Sequence, residues 1–510
     1  MTDITLSTSG LTQPDVVAVA RRRASVSLGD DARAAMERSR AIVEQLAASG
    51  TPAYGVSTGF GALATTYIPE ARRRELQVSL VRSHAAGMGP RVEEEVVRAM
   101  MLLRARSLAM GHSGARPIVA EALLAMLEAG ITPVVYEYGS LGASGDLAPL
   151  AHVALGLIGE GTVTVDGTDR PAADALADAG LTTLALIEKE GLALINGTDG
   201  ILGMLILALA DLTTVARAAD VVAAMTVEAV LGTDRAFRPD LIAMRPHPGQ
   251  GLSAANMFAV MAGSEVVASH REDDPRVQDA YSLRCSPQVH GAVRDTIAHA
   301  ADVADHELAA AIDNPVVTSG GSVESCGNFH GAPVAFACDF LAIAAAELGS
   351  ISERRTDRLL DPARSHGLPP FLTRDPGVSS GLMIAHYTAV SMAAENRRLA
   401  APASVDSMPT SAMQEDHVSM GWGAARKLRI AAANVARIVA VELVAACQAL
   451  ELRSPLEPSP ASAAVLEVTR ESIEGLEQDR HLAPDLAAAT ELITSGRLLG
   501  AAESVTGDLA

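Results

Sequence analysis

The amino-acid sequence predicts a mainly α fold, in which a bundle of long helices carries glycine-rich loops and there is little β structure. Hydrophobic residues make up 49% of the 510 residues but aromatic residues only 3%. Ala, Leu, Val and Met must therefore fill the core, as in tightly packed helices. Two long segments, 202–232 and 420–452, repeat apolar residues with the period of a helix and leave little polar surface. Such helices must be buried within a bundle or between subunits.

The first 195 residues differ from the rest of the chain. They mix helical patterns with glycine-rich loops, such as "YGVSTGFGAL" at 54–63, "SHAAGMGP" at 83–90 and "GSLGASGDLAP" at 139–149. Alternating Val and Thr before an Asp-Gly turn at 161–168 predict a small β hairpin. A chain of this length exceeds one hydrophobic core. We therefore expect two domains, a loop-bearing region at 1–195 and a long-helix bundle with a C-terminal helical cap at 196–510.

Charge and composition narrow the classes of partner. The net charge of −21 disfavours nucleic acid and anionic membrane surfaces. The chain opens with a polar stretch instead of a signal segment, and its longest apolar run, near 201–210, is too short to span a membrane. The four cysteines lack metal-ligand spacing and are typical of reduced thiols in the cytoplasm: Cys285, Cys326, Cys338 and Cys447. We expect a cytoplasmic protein with no nucleic-acid or membrane partner.

Several catalytic motifs are absent from the sequence. A P-loop needs a lysine after its second glycine, and none stands there. The acidic and histidine residues at 414–417 have the wrong spacing for one face of a helix, so no metal site is predicted. The stretch at 142–146 lacks the final glycine of a G-x-S-x-G elbow, which argues against a serine hydrolase. A pyridoxal enzyme needs a Schiff-base lysine, and only Lys189 and Lys427 are available.

The small residues Ala143, Ser144 and Gly145 have two interpretations. In the first, they precede a helix that Asp146 caps and that has Pro149 in its first turn. In the second, the Gly145 amide nitrogen, unhindered by a Cβ, attacks the carbonyl carbon of Ala143. Loss of one water closes a five-membered ring, and loss of the Ser144 hydroxyl as a second water leaves a methylidene. Asp146 would shuttle protons, and the helix N-terminus would stabilise negative charge on this electrophile.

The segment at 139–155, "GSLGASGDLAPLAHVAL", resembles the signature of the aromatic amino acid ammonia-lyase family, and other segments resemble this family along nearly the whole chain. The resemblance implies a fumarase/aspartase-like helical bundle that assembles as a homotetramer with shared active sites. It implies a cofactor, 4-methylidene-imidazol-5-one (MIO), formed from residues 143–145, and no external cofactor. It also implies further site residues: Tyr54 from "YGVSTGFG", Asn196 from "EGLALINGT", Gln278, Tyr281 and Arg284 from "QDAYSLRCSPQ", and Phe329 from "GNFHGAPVAF".

Two more segments bear on the substrate. "SLVRSHAAG" with His84 and "SAMQEDHVSM" with Glu415 resemble the family members that act on histidine, whereas relatives acting on phenylalanine or tyrosine typically carry an amide at the second position. The resemblance thus implies deamination of L-histidine to trans-urocanate and ammonia, the first step of histidine degradation. Tyr54 would remove the β-proton, and Arg284 and Asn196 would hold the carboxylate. His84 and Glu415 would hold the imidazole; whether the electrophile takes the amine or the ring stays open.

Each assignment has an alternative. Tyr54 can be a packed aromatic residue, and as a base it needs dipoles or cations that lower its pKa. Arg284 can be an ion-pair partner, and Glu415 with Asp416 can be acids in the first turn of the helix at 420–452. For function, the alternatives are a tyrosine or phenylalanine lyase or aminomutase of the same family, a catalytically silent helical assembly, and a pyridoxal lyase.

Overall fold

A computed structural model of the chain describes residues 3–49, 52–272 and 274–510. It is 59% helical and 7% strand, which confirms the mainly α fold. In the first 195 residues the helices are α1 (Gln13–Arg22), α2 (Asp30–Ala48), α3 (Arg73–His84), α4 (Glu94–Ala109), α5 (Pro117–Glu128), α6 (Leu147–Leu157), α7 (Ala172–Asp178) and α8 (Glu190–Ile195). These helices are short, and loops between them supply most of the site described below.

The helices that follow include the longest in the protein. They are α9 (Asp199–Ala229), α10 (Pro239–Ile242), α11 (Pro248–Val260), α12 (Glu265–Ala268), α13 (Tyr281–Arg284), α14 (Ser286–Leu308), α15 (Ala332–Leu360), α16 (Met383–Leu399), α17 (Gly421–Glu451), α18 (Pro460–Arg470), α19 (Ala483–Thr494) and α20 (Arg497–Thr506). Helices α9 and α17 confirm the two long apolar segments predicted from periodicity. Most Leu, Val and Ile side chains along both helices are buried, at about 1.5–3 kcal/mol of hydrophobic stabilisation each.

The strands are short, and among the described residues they all precede α15. They are β1 (Ile4–Leu6), β2 (Val26–Leu28), β3 (Met88–Arg91), β4 (Thr132–Pro133), β5 (Tyr136–Tyr138), β6 (Thr162–Val165), β7 (Thr168–Pro171), β8 (Val316–Val317) and β9 (Val323–Glu324). β1 pairs with β2 in parallel, while β3 with β5, β4 with β6, β6 with β7, and β8 with β9 pair antiparallel. The β6–β7 hairpin turns at Asp166 and Gly167, both of which have positive φ angles. It confirms the small β hairpin predicted at 161–168.

The chain divides into two compact units that are not continuous in sequence. The first unit comprises Met1–Leu207, Ala301–Cys338 and Pro402–Arg426, and the second comprises Ala208–Ala300, Asp339–Ala401 and Lys427–Ala510. Two later segments thus belong to the first unit. The two-domain division expected at residue 195 stays a prediction, and each unit is described below by itself.

Three helices of the described chain, α9, α15 and α17, are long and apolar enough to cross a membrane by length and composition alone. The longest uninterrupted apolar run, near 201–210, is too short to span a membrane. These helices reach the necessary length because their apolar segments continue past one or two charged residues. Most of the apolar window of each helix is buried inside the protein, at 72%, 67% and 83% respectively.

Candidate active site

A cavity of about 640 Å³ lies in the first unit and brings four of the predicted site residues together. Tyr54 comes from the glycine-rich loop after α2, His84 from the last turn of α3, Ser144 from the loop before α6, and Glu415 from the segment before α17. The remaining lining residues are Gly59, Phe60, Gly61, Ala62, Leu63, Thr66, Ile68, Leu76, Ser79, Leu80, Ser83, Leu147, Leu192, Ser411 and Ala412. The walls are thus mainly apolar, with the polar side chains converging on one space.

The loop that carries Ser144 is held in a conformation that glycine favours. Ser144 has a φ of 51° and Gly145 a φ of 82°. The Gly145 N–H donates to the Gly142 carbonyl over 3.3 Å, and a Cβ on Gly145 would lie 2.1 Å from the Gly197 carbonyl oxygen. No side chain fits there, so residue 145 must be glycine. A tight turn of small residues with an unhindered amide nitrogen suits ring closure onto residue 143, and in this respect the residues present fit the MIO group.

Asp146 lies directly behind this turn and is completely buried. The sequence predicted that its side chain caps α6, and that prediction is wrong: Asp146 occupies the N-cap position without a side-chain capping bond. Its Oδ2 instead accepts from the backbone N–H groups of Gly200 and Ile201, both at 2.9 Å, in the first turn of α9. Its Oδ1 accepts from the Ser140 hydroxyl at 3.1 Å. Tertiary packing therefore redirects this carboxylate to another helix.

Burial raises the pKa of Asp146 to about 7, against the lowering effect of the donors that it meets. These donors are two backbone amides and a hydroxyl, and none of them carries a charge. Because its pKa lies near neutrality, the carboxyl group can give up or take a proton beside the Ser144 turn at little cost.

Tyr54 lines the cavity from the side of the glycine-rich loop. Its hydroxyl oxygen accepts from the Gly61 N–H at 3.2 Å, and its ring meets Phe60 edge to face with centroids 6.1 Å apart. Burial raises the pKa of Tyr54, and the charge of Glu415 raises it further, while the Gly61 amide lowers it. The surroundings expected for a tyrosine base would lower this pKa, and the described chain by itself does the opposite.

His84 and Glu415 offer hydrogen-bond acceptors to the cavity. The Nδ1 of His84 is 2.9 Å from the Leu80 carbonyl oxygen, which can only accept, so Nδ1 carries the proton. Burial lowers the pKa of His84, which favours the neutral ring with an unprotonated Nε2. Glu415 Oε2 accepts from the Thr410 hydroxyl at 3.0 Å. Glu415 lies six residues before α17 begins, so it is not an acid of that helix's first turn.

Asn196 and Phe329 do not line the cavity. Asn196 ends α8 and is buried, with its amide nitrogen donating to Asp313 Oδ1 and to the Asn314 carbonyl oxygen, both at 3.0 Å. Both amide hydrogens are thus used, which leaves the side-chain oxygen as an acceptor. Lys189 and Asp313 form a buried ion pair at 2.7 Å beside it. An acceptor suits an ammonium group better than the carboxylate expected for Asn196. Phe329 lies in the loop before α15.

Gln278, Tyr281 and Arg284 belong to the second unit, and the structure does not bring them into the lining of this cavity. Tyr281 is 71% exposed. The guanidinium carbon of Arg284 lies 4.6 Å from the centroid of the Tyr281 ring, and its Nε donates to the Asp279 carbonyl at 2.9 Å. These side chains support one another at an accessible position.

Sequence reasoning missed three residues that the structure places beside the predicted ones. Gly61 donates to Tyr54, Ser140 donates to Asp146, and Thr410 donates to Glu415. Gly61 and Ser140 fall inside segments that were noted for their glycines. Thr410 had no signal in the sequence, because a single threonine in a loop is typical of any surface turn.

Comparisons with known proteins agree on one family. A family model described as aromatic amino acid lyase matches residues 11–471. The chain is 62% identical to proteins named histidine ammonia-lyase from Streptomyces avermitilis and Streptomyces coelicolor, with full coverage of both partners in each comparison. Among solved structures, it is similar to histidine ammonia-lyase from Trypanosoma cruzi (38% identity, TM-score 0.91, covering 99% of this chain and 96% of that one). Tyrosine aminomutase from Streptomyces globisporus also matches (40% identity, TM-score 0.94, full coverage of both).

Proposed function

Because the chain belongs to the aromatic amino acid lyase family, we propose that it catalyses the non-oxidative deamination of L-histidine to trans-urocanate and ammonia. The observation that carries this proposal is the meeting of His84 and Glu415 with Ser144 in one cavity. An imidazole ring presents one N–H donor when neutral and two when protonated, and a carboxylate and a neutral histidine present acceptors. The identity to relatives named histidine ammonia-lyase supports the same substrate.

We propose that this chain forms the MIO group, which the family uses, from Ala143, Ser144 and Gly145. The Gly145 nitrogen would form a bond to the Ala143 carbonyl carbon, and two waters would leave, one of them carrying the Ser144 hydroxyl. Asp146 would move protons in these steps, since its pKa of about 7 lets it do so near neutrality. When present, the group supplies an electrophile that withdraws electron density from the substrate.

The remaining steps fall to ordinary side chains. His84 and Glu415 would bind and orient the imidazole, and the apolar walls would exclude water. Tyr54 would take the β-proton as general base, which requires that its raised pKa falls when the site is completed. A nearby arginine would have that effect and could also grip the α-carboxylate in a bidentate manner. Arg284 is our candidate.

A homotetramer with shared active sites would bring these residues together. We propose that another copy of the chain supplies Gln278, Tyr281 and Arg284 to the cavity, and that Phe329 then lies near the cofactor. Two features of the second unit support assembly: the exposure of Tyr281, and an apolar groove of about 690 Å³ between α14 and α15, lined by Val289, Val293, Phe340 and Ile343 among others. Surfaces of this kind are typical of subunit interfaces. We place the assembled enzyme in the cytoplasm.

The proposal is tested by ultraviolet assay of unsaturated-acid formation from L-histidine, L-tyrosine and L-phenylalanine, with the Ser144→Ala variant in parallel. We expect urocanate from the unmodified chain, a mass lower by two waters than the sequence gives, and neither property in Ser144→Ala. Unchanged turnover in that variant would end the MIO mechanism.

The second candidate is a tyrosine lyase or aminomutase, which the similarity to a tyrosine aminomutase favours. Activity on tyrosine without activity on histidine, together with tolerance of Glu415→Gln, would establish it instead. A chain of full sequence mass that acts on none of the three amino acids would be a silent assembly protein.

A further inference from the structure

Glu415 stands at the end of an unusual backbone turn. Ser411, Ala412 and Met413 have φ angles of 50°, 51° and 70°, three consecutive non-glycine residues in the left-handed region. L-residues rarely adopt this conformation, because the Cβ comes too close to the following carbonyl oxygen. Residues held in this way persist only where the surrounding structure determines them. The turn therefore needs contacts that hold it, and these are found at its two ends.

Thr410 and Glu415 close the turn by pairing with each other. The Thr410 N–H donates to the Glu415 carbonyl at 2.9 Å, and the Glu415 N–H donates to the Thr410 carbonyl at 3.3 Å. The third link is the bond from the Thr410 hydroxyl to Glu415 Oε2 at 3.0 Å. Two backbone bonds thus fix the turn, and a side-chain bond fixes the direction of the carboxylate.

The turn also rests against the loop that carries Tyr54. A Cβ on Gly61 would lie 2.7 Å from the Ser411 hydroxyl oxygen, so the two loops are in close contact. The N–H of the same glycine donates to the Tyr54 hydroxyl. A shift of the turn would therefore displace both Glu415 and Tyr54. The bonds between Thr410 and Glu415 thus help to hold both side chains in the cavity.

We propose that Thr410 is a positioning residue for Glu415, and that its hydroxyl sets the carboxylate for the N–H of the substrate ring. The inference rests on the proposed function, because it needs a substrate with such a donor. With Oε2 engaged by Thr410, Oε1 is the oxygen that meets the ring. The titratable groups that face Glu415 are Tyr54 and His84 across the cavity, and Asp416 and His417 follow it in the chain.

The test replaces the hydroxyl by a methyl group of the same size, in Thr410→Val. We expect kcat/KM for L-histidine to fall about ten- to hundredfold, mainly through a higher KM, as a bond to a charged group is lost. Thr410→Ser keeps the hydroxyl and should restore KM. Thr168→Val, the same change in the exposed hairpin β6–β7, is the matched control.

Intact mass separates this role from a fault in the cofactor. We expect Thr410→Val to lose two waters like the unmodified chain, with its defect found mainly in KM. A variant with the KM of the unmodified chain would overturn the positioning role while leaving the proposed function intact. If the unmodified chain forms no urocanate, the proposed function is wrong and the role of Thr410 falls with it.

Discussion

Asp146 in the first unit and Asp220 in the second are both completely buried, yet their pKa values move in opposite directions. Burial raises the pKa of Asp146 to about 7. Burial also raises the pKa of Asp220, but hydrogen bonds and a neighbouring cation overcome that effect and lower it to about 2. Similar burial is therefore found with a carboxyl group whose pKa is near neutrality in one region, and with a carboxylate that is ionised at neutral pH in the other.

The difference comes from the partners of each carboxylate. Asp220 accepts from the Ser253 hydroxyl at 2.6 Å, His290 Nδ1 at 2.7 Å, the Asn256 amide at 3.0 Å and the Arg294 guanidinium at 2.6 Å. Four donors, one of them a cation, compensate the lost hydration. This arrangement is typical of a structural ion pair that holds long helices together.

Among the described residues, Asp146 has three neutral donors and no direct cation. These donors only partly replace the hydration that the ionised carboxylate loses on burial. The pKa therefore stays near neutrality, where the group can exchange a proton. Asp220 is thus a buried acid that stabilises the fold, whereas Asp146 is a buried acid suited to proton transfer. Substitution by asparagine tests both roles.

The largest effect is expected from Asp146→Asn. Asparagine keeps an oxygen for the α9 amides but cannot transfer a proton, so the rate of electrophile formation should fall about 10²- to 10⁴-fold, the contribution typical of a positioned acid or base. Urocanate formation should fall with the fraction of chains that carry the electrophile. Intact mass should show that the variant retains both waters. Full activity with both waters lost would show that Asp146 has no part in proton transfer.

Asp220→Asn should instead affect stability. The substitution removes the charge that Arg294 faces in the interior, and breaking a buried pair in this way costs about 3–5 kcal/mol. Urea denaturation at fixed protein concentration measures the loss. Two waters should still be missing from the folded variant's mass, since residues 143–145 lie in the other unit. A stability equal to that of the unmodified chain would contradict the structural role assigned to this network.

The sequence predicted the fold better than the arrangement of its parts. Apolar periodicity identified α9 and α17, because a helix that buries all its faces leaves that pattern in the sequence. The return of 301–338 and 402–426 to the first unit leaves no local pattern, since it depends on which long helices pack together. Likewise, local preference predicted that Asp146 caps its own helix, and tertiary contacts sent its side chain to the start of α9.

A site can be predicted from sequence where a motif carries its own chemistry. The ring formation expected at Ser144 could be inferred in this way, because only small residues and a β-leaving group would permit it. His84 and Glu415 followed from family-like segments and meet in the cavity. Thr410 could not be found, because the three positive φ angles that it closes run against the preferences of the residues that adopt them. The roles of Gln278, Tyr281 and Arg284 stay predictions.

The smallest effect is a difference in pH dependence between the two asparagine variants. An acid whose pKa is raised from 3.8 to about 7 by folding favours the folded state while it is protonated, so its contribution is lost as pH rises from about 4 to 7. Asparagine does not titrate, so the Asp146→Asn variant does not lose stability in this way. The unfolding free energy of the variant minus that of the unmodified chain should therefore increase with pH, by at most about 1.4 kcal/mol per pH unit.

Asp220 has the opposite sign. Its pKa is lowered from 3.8 to about 2, so its contribution is complete above about pH 4 and is lost only in more acidic solution. The deficit of Asp220→Asn should thus stay constant between pH 5 and 7 (about the range in which Asp146 titrates). Urea denaturation of both variants at pH 5, 6 and 7 distinguishes the two acids. If the unfolding free energies of the two variants changed with pH in the same way, the two carboxyl groups would have similar pKa values. Asp146 would then not be suited to proton transfer near neutral pH.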